Sequence, residues 1–355
     1  MQTVEGQKRK VLYGKTRAEV AEKLTRAMAD RDGGLASDTG NLALGGYLER
    51  WLEVSVKGNV RPRTLDNYRM HVRRHIAPAL GHIKLKTLSP AHVQCFYRAK
   101  LDAGLASSTV RYMHAVLHRA LKQALRWGLV PRNVVEAVDP PKVEQEEAKA
   151  LSPAEVKTLL LEARGDRLEA LYVLAVHTGL RQGELLGLRW DDVDFKTGKL
   201  RVSRQLQNMR DGSGLVFAPL KTGKGRRTIR LTNAASVALK RHRRRQAEEK
   251  LGAGTFYGDR GLIFATGKGT PLNASNVHSR SFKPLLKRAG LPDRRFHDLR
   301  HTCATLMLSQ GVNPKIAQEV LGHANVAQTM DTYSHVLPDM QEPAVAAMER
   351  ALLRT

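Results

Sequence analysis

Cysteine is almost missing from this chain: 355 residues hold two, Cys95 and Cys303. No disulfide framework is implied, and a reducing cytosol is the natural compartment. Long apolar runs are missing too. None approaches the roughly 20 residues of a membrane span, so no membrane partner is expected. The amino-terminal stretch is basic and polar, without the apolar region of a secretion signal. Acidic residues are scarce beside basic ones, 34 against 59, which leaves a net charge of +25. That imbalance points to a polyanionic partner.

Two further signatures are incomplete. Ala265-Thr266-Gly267-Lys268-Gly269-Thr270 has the flavour of a phosphate loop. Gly261 lies one residue too far upstream, however, and Gly269 stands where a Ser or Thr is required. His297 and His301 are four apart, as on a zinc-protease helix, but no glutamate follows His297 and no metal ligand set emerges. The sequence therefore predicts no cofactor and no metal.

What is present falls into segments. Residues 1–35 hold a short strand-like piece around Val11–Tyr13. A helix follows, with Thr16 and Glu19 as its capping box, and its narrow apolar stripe is too small to fold alone. Residues 41–140 read as wholly helical. Leu44, Tyr47, Leu48, Trp51 and Leu52 mark one amphipathic helix. Thr64 is placed to cap a second helix that Pro78 and Gly81 end. Ser89-Pro90 opens a third, and Ser107 or Ser108 a fourth. This segment carries 16 basic and 6 acidic residues. Its outward Arg69, Arg73, Arg74, Arg111, Arg119 and Lys122 suit phosphate contacts that position a protein on nucleic acid without reading bases. The competing reading of such charges is a solvated face.

Residues 141–150 form a Pro-containing linker. A new unit opens at Ser152-Pro153-Ala154-Glu155, a capping box with proline in the first turn. Arg181 follows the Thr178-Gly179 turn at the start of a helix, and Glu184 three residues on can brace it. Strands are expected around Leu200–Val202, Leu215–Phe217 and Thr228–Leu231. Pro219–Gly225 would then be a hairpin-like turn holding Lys221 outward. The basic run Arg241–Arg245 is expected on a helix, facing solvent or a DNA backbone.

The richest stretch runs from His297 to His335. His297 and Arg300 share a helix face. Gly311 stops that helix, and Asn313-Pro314 starts another that ends at Gly322. His323 follows on a turn, and Asn325 can cap a third helix carrying Tyr333. Arginine, histidine and tyrosine together suit a phosphodiester. A guanidinium neutralises phosphate oxygens through a planar fork. Histidine moves protons near neutral pH, and a tyrosine hydroxyl can form a covalent ester with phosphorus.

Thr178-Gly-Leu-Arg181, Leu220-Lys221-Thr-Gly, His297-Asp-Leu-Arg300-His-Thr, Leu321-Gly-His323 and Asp331-Thr-Tyr333-Ser-His resemble the boxes of the tyrosine recombinases, the phage integrase family. The resemblance covers nearly the whole chain. It implies a mainly α protein with a small β-sheet: a helical, SAM-like core-binding domain at 41–140 and an α+β catalytic domain at 151–337, forming a clamp around DNA. Residues 1–35 resemble the end of an arm-binding module without its early strands. Residues 338–355 would be a tail helix exchanged between protomers.

The resemblance also implies roles. Tyr333 attacks the scissile phosphate to give a 3′-phosphotyrosine and a free 5′-hydroxyl. Arg181 and Arg300 hold the non-bridging oxygens, with Glu184 behind Arg181. Lys221 protonates the leaving oxygen, His297 assists proton transfer at the nucleophile, and His323 donates to a phosphate oxygen. Cationic side chains take the place of a metal, and the phosphotyrosine conserves the bond energy without ATP. The implied partners are double-stranded attachment sites and a homotetramer on synapsed DNA, with a directionality factor or DNA-bending protein as accessory, in the cytoplasm at the nucleoid. Integration and excision of a phage or other mobile element is the outcome expected. Type IB topoisomerase-like relaxation, chromosome-dimer resolution and a catalytically silent architectural protein are the alternatives.

Overall fold

A computed structural model of the chain describes residues 13, 16–17, 19–21, 41–143, 149–220, 225–323, 325, 345, 348–349 and 352. Lys221, Tyr333, most of the segment after it, most of the 1–35 segment and the middle of the linker lie outside those residues. The chain divides into two units, residues 1–145 and 146–355. Each is built on its own apolar cluster. Near the start of the first, the Thr16 hydroxyl accepts from the Glu19 amide at 3.2 Å, the near half of the expected capping box.

The described elements of the first unit are helical throughout. Helices α1 (Leu44–Trp51), α2 (Pro62–His71), α3 (Ala77–Leu80), α4 (Pro90–Asp102) and α5 (Ser107–Arg126) surround a core of Tyr47, Trp51, Ile76, Tyr97 and Met113. The second helix starts at Pro62 rather than after Thr64. A proline in the first turn supplies a helical φ and loses no hydrogen bond there. Pro78 does not end that helix. Residues Val72–Ile76 wind as one wider turn, in which the Ala77 amide reaches back to Val72, and helical geometry continues as α3. The wider turn accommodates a residue that has no N–H to give.

In the second unit the Ser152 capping box forms as expected. The Ser152 amide donates to Glu155 Oε2 at 2.7 Å, and the Glu155 amide to Ser152 Oγ at 3.3 Å, ahead of α6 (Pro153–Glu162). Helix α7 (Glu169–Thr178) is apolar on nearly all sides and buried accordingly. It packs between α9 (Asn233–Ala253) and α12 (Asp298–Ser309). Short helices α8 (Gln182–Leu186), α10 (Ala274–Val277) and α11 (Lys283–Arg288) and a final α13 (Pro314–Leu321) complete the helical layer.

Among the described residues five strands make two small antiparallel sheets. Strands β1 (Val193–Asp194), β2 (Lys199–Val202) and β5 (Arg227–Arg230) form one, and β3 (Arg204–Asn208) with β4 (Leu215–Pro219) the other. Leu200 faces Ile229 in the first sheet, and both are buried. The hairpin expected around Lys221 is therefore corrected. Its flanking strands β4 and β5 belong to different sheets, because β3 intervenes and claims β4. With Leu206 as its one apolar residue, Arg204–Asn208 carries almost no alternation to announce a strand.

The basic run on α9 is spent largely within its own unit. Arg241 donates to Glu169 at 2.6 Å, Arg243 lies 5.5 Å over the Trp190 ring, and Arg245 donates to the carbonyls of Asp166 and Arg167. Thr266–Thr270 closes as a tight turn, with the Thr266 amide on the Thr270 carbonyl at 2.8 Å, rather than as an open phosphate cradle. Among the described residues no helix is long and apolar enough to cross a membrane.

Candidate active site

Three helix ends meet in the second unit, and the sequence stops each of them for a local reason. Helix α7 ends at Gly179, φ +59°, and α13 at Gly322, φ +69°. Both lie in the left-handed region that glycine enters without a steric penalty. Helix α12 begins at His297, anchored by the buried Phe296 before it and by Asp298, whose carboxylate accepts from the Arg295 amide at 2.8 Å. On the far side of α12, Thr302 donates to the Asp298 carbonyl and accepts from the Leu151 amide, tying the helix to the start of the unit.

The carbonyls at the end of α13 face three arginines in succession. Val320 O accepts from Arg227 Nε at 2.7 Å, Leu321 O from Arg300 Nη1 at 2.8 Å, and Gly322 O from Arg181 Nη2 at 3.4 Å. A helix carboxyl end carries partial negative charge and leaves its last carbonyls without helical partners, so cations suit it on both counts. Arg300 is 3% exposed and also donates to Gly179 O at 2.8 Å, joining the end of α7 to that of α13.

Glu184 sits among these arginines, 2% exposed. Oε1 accepts from Arg181 Nη1 at 2.9 Å, and Oε2 accepts from Arg227 Nη2 at 3.0 Å. Burial alone would raise its carboxyl; the charges and hydrogen bonds of Arg227 and Arg181 overcome that and hold it below the ordinary value. It is thus a buried bridge rather than a surface ion pair. The Arg181 side chain, 38% exposed, keeps part of its guanidinium open to solvent.

His323 follows Gly322 and is held at its backbone by Gln318. Its amide donates to the Gln318 carbonyl at 3.1 Å, and the Gln318 side-chain amide donates to its carbonyl at 2.9 Å. The His297 and His301 rings lie 5.3 Å apart, edge to face. Both His297 and His323 are pushed down to about 4, first by partial burial and then by shared cationic neighbours, among them Arg300, Arg181 and His301. His297 is open to solvent on one side, but the arginines facing it act in the same direction as its burial and outweigh the opposite pull of Asp298. Two neutral histidines and a set of guanidiniums sharing one buried carboxylate make a place for an anion. A bound phosphate would relieve the repulsion and draw protons onto the rings.

The structure thus brings Arg181, Glu184, His297, Arg300 and His323 together. Lys221 and Tyr333 fall outside the described residues. Among the described residues there is no group of three or more His, Cys, Asp or Glu side chains placed to hold a metal ion. Sequence reasoning missed Arg227, Gln318 and the packing role of His301. Gln318, a polar residue at an inward position of α13, left a faint signal; Arg227 left none among its basic neighbours.

In the first unit, the six cations proposed to face DNA divide into two kinds. Arg73 pairs with Glu49 through Nε and Nη2, each at 3.0 Å, Arg69 pairs with Glu53, and Arg119 donates to the Tyr68 hydroxyl at 3.1 Å while lying over its ring. Arg74, Arg111 and Lys122 are exposed and carry no partner among the described residues.

Residues 148–340 match the phage integrase family, and residues 43–101 match the phage integrase N-terminal SAM-like domain. The chain is 34% identical to a tyrosine recombinase XerC-like protein of Caldanaerobacter subterraneus subsp. tengcongensis, over 96% of this chain and 91% of that one. It is 31% identical to an integrase of Streptomyces ambofaciens, over 94% and 86%. Among solved structures, the Tn1549 transposon integrase in complex with a circular intermediate DNA superposes with a TM-score of 0.73 at 25% identity, covering 87% of this chain and 99% of that one. A lambda integrase tetramer bound to a Holliday junction shares the fold, with a TM-score of 0.61 at 22% identity over 90% and 88%.

Proposed function

The chain belongs to the phage integrase family and is a tyrosine recombinase acting on DNA, and from that premise we propose that it integrates and excises a mobile element by a 3′-phosphotyrosine route. The Tyr333 hydroxyl attacks the scissile phosphorus, a P–O bond to tyrosine forms, and the P–O bond to the 5′-oxygen breaks. Lys221 delivers the proton that the 5′-oxygen needs, and His297 assists removal of the tyrosine proton. Arg181 and Arg300 hold the two non-bridging oxygens, and His323 donates to one of them. Charge accumulating on those oxygens is met by fixed cations, so neither a metal ion nor ATP enters the step.

One observation carries this reading: Arg181, Arg300 and His323 converge on the carboxyl end of α13. Tyr333 lies ten positions beyond His323 in the sequence. The DNA complexes of the transposon and lambda integrases support DNA as the partner, and the lambda tetramer supports a homotetramer on synapsed sites. Residues 338–355 would join protomers in that assembly, and a directionality factor or DNA-bending protein would act beside it. Deleting 340–355 should then spare single half-site binding and abolish cooperative filling of paired sites.

The test is covalent capture in EDTA without nucleotide. Duplexes selected for binding from a random-sequence pool are incubated with the protein and denatured in detergent. A protein–DNA adduct is expected with the natural chain, and none with Tyr333→Phe, which still binds. An adduct that persists in Tyr333→Phe, or that needs Mg²⁺, overturns the mechanism.

A further inference from the structure

We infer that Arg227 is a positioning residue for strand cleavage, setting Arg181 through Glu184 and setting His323 through the Val320–His323 turn. The inference rests on the covalent mechanism proposed above. Arg227 opens β5, and its side chain is 7% exposed. One guanidinium reaches three separate segments: Nε donates to Val320 O at 2.7 Å, Nη1 to Gly225 O at 3.0 Å, and Nη2 to Glu184 Oε2 at 3.0 Å. Those segments are the end of α13, the chain just before β5 and the helix that begins at Arg181.

Close packing reinforces the three bonds. A Cβ added at Gly322 would stand 2.7 Å from Arg227 Nη1 and 3.0 Å from its Cζ. The guanidinium therefore lies directly against the backbone of the residue before His323. Only a glycine there permits that approach together with the positive φ of the cap. Without Arg227, Glu184 keeps Arg181 as its one remaining cationic partner among the described residues, and the Val320 carbonyl loses the Arg227 donor. Both changes shift groups on either side of the proposed phosphate site. Arg227 itself need not touch DNA.

A plain fold-stabilising ion pair predicts something different. It would need the charge but not the fork, and its loss would lower stability and binding together. A lysine at 227 keeps the charge but offers one compact ammonium, which cannot serve three acceptors with this geometry.

The experiment compares Arg227→Gln, Arg227→Lys, Glu184→Gln and the double variant Glu184→Gln/Arg227→Gln in the full chain. The probe is the pool-selected duplex. Readouts are the single-turnover rate of adduct formation, the duplex Kd, the melting temperature and the His323 ring titration by NMR. Arg227→Gln is expected to lose about 100-fold in rate, the size of a misplacement of about 1 Å near reacting atoms, with Kd nearly unchanged. Arg227→Lys should stay well below the natural rate. The double variant should lose little more than the worse single one, because both changes break one path. Loss of the Arg227 charge should also let the His323 ring titrate above about 4.

Full activity in Arg227→Lys would overturn the inference, as would additive losses in the double variant. Parallel loss of rate, Kd and melting temperature in Arg227→Gln would reduce the residue to scaffold. If the Gln variant fails to fold, the Lys variant still decides the question. Absence of adduct with the natural chain would instead sink the covalent mechanism itself.

Discussion

Nη1 of Arg300 donates to the carbonyl of Leu321 at 2.8 Å, and through this bond α12 holds the last turn of α13. The same nitrogen reaches Gly179 O. The side chain proposed to hold a phosphate oxygen is therefore also a buried fastener between helix ends. Arg300→Ala should lose stability as well as cleavage, because each orphaned buried carbonyl costs about 1–3 kcal/mol. Arg181→Ala, at a half-exposed site, should lose cleavage with a much smaller change in stability. Urea unfolding midpoints would check this; equal midpoints for the two variants would contradict the fastening role.

Gly179 gives a second prediction. Its φ is +59°, and an added Cβ would stand 2.5 Å from Leu321 Cδ2 and 3.2 Å from Cys303 Sγ. Gly165 has φ +77° with open space around it. Gly165→Ala should cost the backbone term alone, about 1–2 kcal/mol. Gly179→Ala should add an overpacking cost of about 1–3 kcal/mol and should slow adduct formation by displacing the end of α13. Equal thermal shifts in the two variants would show that the helix ends are not tightly packed.

The histidines predict a pH dependence with a definite sign. His297 and His323 are pushed from the ordinary 6.5 down to about 4. The free folded protein therefore binds fewer protons between those values than the unfolded chain. Its stability should fall as pH drops through that window. Glu184, held below its ordinary 4.5, contributes stability that is present above that pH and lost as pH falls further. A bound phosphate raises the histidine pKa values, so DNA binding should take up protons and tighten as pH falls from about 7 toward about 5. Calorimetry in buffers of different ionisation enthalpy would measure the uptake. Unchanged uptake in the double variant His297→Gln/His323→Gln would remove these rings from the phosphate site.

Charge pairing in the first unit sharpens the salt prediction. Arg69 and Arg73 already face Glu53 and Glu49, whereas Arg74, Arg111 and Lys122 have no described partner. Each lost phosphate contact should flatten the log–log salt slope by about 0.9. Replacing Arg74 and Arg111 by glutamine should therefore flatten the slope more than replacing Arg69 and Arg73. Glu49→Gln should strengthen binding to unrelated DNA. The reverse order in a filter-binding titration would show that the paired arginines change partners on DNA.

Much of the architecture was legible because it is local. The Ser152–Glu155 box, the Asn313-Pro314 start and the Gly322 stop each depend on residues within one helical turn. The buried stripes of α1 and α5 repeat at helical spacing, and the approach of Glu184 to Arg181 is an i to i+3 relation. The spacing from His297 to Arg300 likewise placed both on one helix. The Thr64 cap and the Pro78 stop do not hold, because the outcome depends on how the neighbouring turn winds.

Strand pairing was not legible. The partners of β5 and β4 are decided by which edge lies against α8 and the core, and β3 carries almost no pattern of its own. The site has the same division. The sequence by itself determined that arginines, histidines and a tyrosine occur in this order, because those identities are written residue by residue. It could not tell Arg226 from Arg227, adjacent and chemically identical. The fold exposes the first and buries the side chain of the second, joining it to Glu184 and Val320, which are 43 and 93 positions away. A contact across such a separation exists only after the helices and sheets have packed. Which arginine became the brace was therefore decided by tertiary structure, where burial and the geometry of three acceptors select a single guanidinium.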